Sequence, residues 1–362
     1  MDIFNHINYK IQQIIGENPR VKFFANEYRF DPELDKIRDR IFGRGKSRPW
    51  TNLKKVEWHN APPKDLKIIE EFINHSYEPI YCDLDKVFYD TLFQHSLPFR
   101  KFIIHSEQNS SDLNAVIGLG FEGGIHWLAN GYICAEGWYR YYKDIDQVCE
   151  YVPLEHKFIC PVRLFDNKRV YRIKFLNLIN TENGLYSLFE KDPQTGATIQ
   201  EVYPSNVVSP NSFDEHTNSS AWINFKEKGN PTCWKTSFLH VVLETVVDRV
   251  HLTEKIFKPI VLKHPFVLLN GVGGLEYLRS YGFKTFNDFW DEDYDNIEDL
   301  DSRMRAIADI VNYIGDRSIS ELEKIREKMK PILEYNYNWF YNGFTDKCWN
   351  ELETNLNKAI QK

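Results

Sequence analysis

The sequence predicts an α/β protein of two domains, and three observations carry that reading. Short apolar runs, VKFFA (21–25), FRKFIIHSE (99–107), KFICPV (157–162), SFLHVVLET (237–245) and PFVLLN (265–270), have the look of strands buried on both faces. Between them lie segments whose apolar residues recur at helical spacing, and this strand–helix alternation belongs to parallel sheets. The chain has 362 residues, against a typical domain of about 150.

The elements follow in order. Ile3, Phe4, Ile7, Ile11, Ile14 and Ile15 fall on one helical face ahead of the strand at 21–25. A helix near 32–42, a strand in LKKVEWH (53–59), a helix opened by Pro62 and Pro63, and a strand in PIYC (79–82) continue the rhythm. The strand at 99–107 runs into the polar stretch HSEQNSSD, where a functional loop of a parallel sheet would lie. The second pattern opens at 157–162, followed by a helix carrying Val170, Ile173, Phe175, Leu176 and Ile179. Residues 190–232, rich in Asn, Ser, Thr, Pro and Gly, read as loops with one short strand, AWINF. Beyond them come the strand at 237–245, the helix TEKIFKPIVLK capped by Thr253, the strand at 265–270, and a turn entering the helix of GVGGLEYLRSYG. The tail from Ser318 is helical, with a break expected at Asn342-Gly343. The expected division is therefore residues 1–152, residues 153–342, and a last helix over 343–362.

Composition narrows the function classes. With 42% apolar, 15% aromatic and 27% charged residues the chain is globular. It shows no apolar run of about 18 residues and no signal-peptide pattern near its start, so a cytoplasmic protein without a membrane span is expected. Its six cysteines form no CxxC pair, which argues against a zinc ribbon or a disulfide framework. A net charge of −7 supplies no global attraction to nucleic acid.

Chemistry concentrates in SFLHVVLETVVDRVHLTEKIFKPIVLKHPFVLLN (237–270), where a strand ends at Glu244-Thr245 and a helix begins with Thr253, Glu254 and Lys255. Strand carboxyl ends and helix N-termini form the ligand crevice of an open α/β sheet, and a helix N-terminus favours phosphate. A first-turn lysine opposes the helix dipole unless an anion compensates it. The same residues also make an ordinary capped helix with a solvated lysine.

This stretch resembles the donor-binding motif of the fucosyltransferase family, in which a strand ending Phe-Glu-Asn-Ser leads to a Thr-Glu-Lys helix and an apolar strand. Here the counterparts are L-E-T-V, LTEKIF and HPFVLLN, with Leu243 and Thr245 departing from the family's residues. KFICPVRLFDNKRVYRIKFLNLI is similar to the family's first donor-domain strand and Arg-bearing helix, and FIIHSEQNSSD to its strand before the catalytic base. The resemblance spans about 100–290 and extends to fucosyltransferase-like sugar transferases of bacteria and phages. It implies a GT-B fold, two Rossmann-like lobes with a cleft between them and a C-terminal helix crossing back onto the first lobe, and an inverting glycosyltransferase that needs a nucleotide-sugar and no divalent metal. Glu107 is then the base. The donor is bound by Arg172, Glu244, Thr253, Glu254 and Lys255, with Arg169 and Arg163 as rivals to Arg172. His105, Trp138, Tyr139, Arg140 and Gly273 are further possible contacts.

The acceptor implied is a glycan or small hydroxylated molecule. Hydroxymethylated phage DNA is the alternative, for which Lys36, Arg38, Arg40, Arg44, Lys46 and Arg48 supply the most basic segment. A second alternative is a non-catalytic nucleotide- or glycan-binding protein. Asp83-Leu84-Asp85 matches a DxD metal pattern that arises easily by chance. Gly271, Gly273 and Gly274 read as a tight turn or a close backbone approach, and the acidic run 290–301 as a solvated loop.

Overall fold

The computed structural model describes residues 10–11, 13–14, 21–26, 100–106, 108, 114, 122–128, 131–132, 134–139, 152–193, 195–211 and 232–361. The chain divides into two compact units, residues 1–130 with 346–362, and residues 131–345. Unit 1 contains a parallel sheet of β1 (Val21–Asn26), β2 (Arg100–His105) and β3 (Gly123–His126), in that spatial order. Phe102, Ile103 and Ile104 of β2 are buried, which explains the three consecutive apolar residues at the centre of this strand. Asn26 and His105 are in register, as are His105 and His126, so the three strands end together.

Unit 2 holds β4 (His156–Pro161), α1 (Val170–Leu176), β5 (Leu185–Ser187), α2 (Ile199–Val202), α3 (Thr232–Thr236), β6 (Ser237–Leu243), α4 (Glu254–Val261), β7 (Phe266–Leu269), α5 (Gly274–Ser280), α6 (Leu300–Gly315) and α7 (Ile319–Trp339). Its sheet has the order β5-β4-β6-β7 and every pairing is parallel. All seven residues of β6 are buried. From β4 the chain steps outward to β5 through α1, and from β6 it steps the opposite way to β7 through α4. Because parallel crossovers are right-handed, those two helices cover opposite faces. Accordingly α1 packs with α6, and α4 packs with α7.

The β4, β6 and β7 runs and the α1, α4 and α5 helices lie where the sequence places them, whereas three-residue β5 is too short to leave a periodic signal. The division falls at residue 130 rather than 152, because the segment that follows ties into unit 2. Tyr139 donates to the Glu254 carbonyl at 2.9 Å, and its own carbonyl accepts from Tyr341 Oη at 2.7 Å.

Two expectations are corrected. The acidic run is not a solvated loop: Asp295 accepts from the N–H groups of Leu275 and Glu276 at 2.9 and 3.0 Å, satisfying the start of α5. Glu292 accepts from Phe286 N at 2.7 Å and from Thr285 Oγ1 at 2.6 Å, with Arg279 3.1 Å away. The helical tail does not break at Asn342-Gly343 either. It passes through a π-helical turn, Phe340–Phe344, in which a Cβ on Gly343 would lie 2.4 Å from the Trp339 ring. Phe340 and Phe344 of that turn pack on Phe257 of α4 at ring separations of 5.6 and 5.1 Å, so aromatic burial replaces the chain break.

The chain re-enters unit 1 at Asp346, within α8 (Thr345–Ile360). There Cys348, Leu352 and Leu356 form the buried stripe, and Trp349 stacks on Trp127 with centroids 5.3 Å apart. Glu351 anchors the helix to the end of β3, meeting His126 Nδ1 at 3.0 Å and Leu128 N at 3.1 Å.

Candidate functional site

Neighbouring strands β4 and β6 send their connections in opposite directions, which leaves a crevice at their carboxyl ends where open α/β sheets bind ligands. A cavity of about 290 Å³ lies there. The loop after β4 contributes Arg163 and Leu164, the end of β6 contributes Leu243 and Thr245, and α4 contributes Glu254, Lys255 and Lys258.

Glu244, completely buried at the end of β6, organises the α4 side of the site. Its carboxylate accepts from Thr253 N at 2.9 Å and from Thr253 Oγ1 at 2.5 Å, closing the loop between strand and helix. Burial pushes the Glu244 carboxyl above its ordinary range, against the pull of Lys255. Thr253 is the N-cap of α4, its hydroxyl accepting from Lys255 N at 3.4 Å. The Lys255 ammonium donates to Glu254 Oε1 at 2.7 Å and to Thr245 Oγ1 and Thr253 Oγ1, both at 3.1 Å. Burial raises the Glu254 carboxyl, but the charge and hydrogen bond of Lys255 outweigh it and the net displacement is downward. Thus Glu254 and Lys255 line the cavity as an ion pair, while Glu244 and Thr253 build the frame beneath them.

The three candidate arginines have three different environments. Arg172, 5% exposed, donates to the carbonyls of Leu164 at 3.0 Å, Leu243 at 3.3 Å and Glu244 at 3.0 Å, and to Tyr171 Oη at 3.2 Å. Tyr171 Oη in turn donates to the Glu244 carbonyl. The Arg172 guanidinium therefore ties together the backbone ends that form the cavity floor. Arg169 is paired with Asp166 at 2.7 Å. Arg163 is exposed, lines the cavity, and makes no hydrogen bond or ion pair with any described residue.

One further wall consists of residues that sequence reasoning missed. Lys258 Nζ lies 3.4 Å from the centroid of the Trp234 ring and has no hydrogen-bonding or ion-pair partner among the described residues. Burial lowers this ammonium to about 7, with Cys233 and Glu254 acting in the opposite direction. His240 also lines the cavity; its Nε2 meets the Trp234 carbonyl at 3.0 Å and its ring stacks on His264 at 4.9 Å. The available signals were a second lysine three positions after Lys255, on the same helical face, and a lone histidine inside an apolar strand.

No protein-family model, curated protein or solved structure matches this chain.

The remaining candidates lie elsewhere. Glu107, Arg140, Asp83, Asp85 and the basic segment from Lys36 to Arg48 are outside the described residues, as is the side chain of Trp138. His105 belongs to unit 1, where its ring meets that of His126 edge-on at 5.5 Å. Gly273 is not a cavity residue: at φ +80° it is the left-handed N-cap of α5, with its N–H bonded to the Asp295 carbonyl at 2.9 Å. The close approach belongs to Gly271, where a Cβ would lie 2.2 Å from the backbone of Arg249. Among the described residues no helix is long and apolar enough to cross a membrane, and no three His, Cys, Asp or Glu side chains gather as metal ligands.

Proposed function

We propose that the protein is an inverting, metal-independent glycosyltransferase of GT-B architecture, with a nucleotide-sugar bound in this cavity and an acceptor hydroxyl on a glycan or small molecule. The observation that carries the reading is the crevice at the ends of β4 and β6, lined by Arg163, Lys255 and Lys258, which suits the diphosphate of such a donor. Arg163 and Lys255 take phosphate oxygens, Tyr139 closes one side through its bond to the Glu254 carbonyl, and Arg172, Glu244 and Thr253 hold the frame.

In the reaction the acceptor oxygen forms a bond to the anomeric carbon as the bond from that carbon to the phosphate oxygen breaks. The hydroxyl proton passes to Glu107, and the cations of the cavity stabilise the charge growing on the departing diphosphate. A thermal-shift panel of nucleoside diphosphates and nucleotide-sugars, run with and without EDTA, tests the donor assignment. A selective shift that EDTA leaves unchanged supports it, and a flat panel overturns it. Glu107→Gln then separates catalysis from binding, since it should abolish turnover while donor affinity persists.

A further inference from the structure

Among the described residues no carboxylate lies within ion-pair distance of Lys258, unlike several other cations of unit 2. Lys255, one turn earlier on the same helix, has Glu254; Arg169 has Asp166; Arg279 has Glu292; Lys263 has Glu334 at 2.9 Å. Lys258 instead rests on the face of Trp234, and its remaining hydrogens have no acceptor among the described residues although it lines the cavity. An indole face offsets part of the desolvation of an ammonium but accepts no directed hydrogen bond. A half-buried cation left in this condition carries an unmet demand for an acceptor. Arg163, in the same cavity, also has no partner among the described residues, and an anion suits both cations.

We propose that Lys258 is an anion-binding residue of the cavity, with the Trp234 ring as its platform, and that it takes a phosphate oxygen of the ligand and gains a proton in doing so. The proposal rests on an anionic ligand in the cavity, as the functional reading does, and not on sugar transfer. Burial against the Trp234 face favours the neutral amine in the free site, so an anion draws in a proton on binding. Cys233 adjoins Lys258 from α3, His240 from β6, and Glu254 and Lys255 from its own helix, while Arg163, Arg169 and Arg172 also line the cavity. Cys233 and Glu254 favour the ammonium but do not offset its burial, and a bound phosphate adds the anionic charge that restores the proton.

The test is calorimetric titration of the full chain with inorganic pyrophosphate at pH 6.5 and 8.5, in two buffers of different ionisation heat. The variants are Lys258→Gln and Lys258→Arg, each first shown to melt cooperatively. Wild type should bind pyrophosphate with proton uptake at pH 8.5, and Lys258→Gln should bind about tenfold more weakly or worse at pH 6.5. Lys258→Arg stays charged at both pH values, so it should bind without that uptake, and the wild-type affinity should fall relative to it on going to pH 8.5. Comparison with the arginine variant cancels the ionisation of pyrophosphate itself. Equal affinity of Lys258→Gln and wild type, or no pyrophosphate binding by wild type, overturns the proposal. Nucleoside diphosphates that bind both proteins equally would remove Lys258 but leave the donor reading standing. Lys258-dependent pyrophosphate binding with no nucleotide binding would do the reverse.

Discussion

The carboxylate of Glu244 accepts two hydrogen bonds from a single residue, Thr253, one from its N–H at 2.9 Å and one from its hydroxyl at 2.5 Å. Thr253 is at once the cap of α4 and the partner that satisfies a fully buried carboxylate. Thr253→Ala should therefore cost more than an ordinary cap, about 2–3 kcal/mol of unit 2 stability, while Thr253→Ser keeps the hydroxyl and most of the stability. Urea denaturation decides this; equal midpoints for the two variants would contradict it.

Arg172 and Arg163 separate framework from ligand contact. Lysine at 172 cannot reach the carbonyls of Leu164, Leu243 and Glu244 together, so Arg172→Lys should lower stability by at least about 2 kcal/mol. Arg163→Ala, at an exposed site with no partner among the described residues, should change stability by less than about 0.5 kcal/mol while weakening pyrophosphate binding. Thermal melts and titrations of both variants give the comparison, and a large melting change in Arg163→Ala would count against it.

Lys255 should matter for ligand more than for fold. Its ammonium already has three protein acceptors, and a phosphate oxygen has to compete with the pair to Glu254. Lys255→Ala is expected to reduce nucleoside-diphosphate affinity by about 1.5–3 kcal/mol, the range for a hydrogen bond to a charged group. Unchanged affinity in calorimetry would remove Lys255 from the binding site.

The stacked pair His240 and His264 makes unit 2 acid-sensitive. Burial holds both imidazoles below their ordinary value of 6.5, His264 down to about 3. Between those values the unfolded chain binds protons that the folded chain does not, so the stabilisation is complete above about 6.5 and is lost as pH falls. From there down to about pH 3, His264 alone costs up to about 1 kcal/mol per pH unit. His264→Phe should flatten the pH dependence of the denaturation midpoint between pH 6 and 4; an unchanged slope would show that other groups govern it.

The strands and helices around the site were legible because β4, β6 and β7 are buried on both faces and α4 opens with a threonine cap, and both properties are written in consecutive residues. The sequence by itself determined a parallel α/β chain and located Glu254 and Lys255 at the head of a helix after a buried strand. It also pointed to Asp83-Leu84-Asp85 and to Glu107, which lie outside the described residues. Tertiary structure alone decided which arginine is spent on backbone carbonyls and which is free, because carbonyl ends from Leu164 and Leu243 meet only when β4 and β6 pair. It likewise decided that Glu292 and Asp295 are structural and that the tail bends through a π turn without breaking, since both depend on partners distant along the chain or on aromatic packing. Lys258 shows the same limit: its spacing from Lys255 was visible, but its seat on the Trp234 ring, with no ion-pair partner among the described residues, is a property of the folded surroundings.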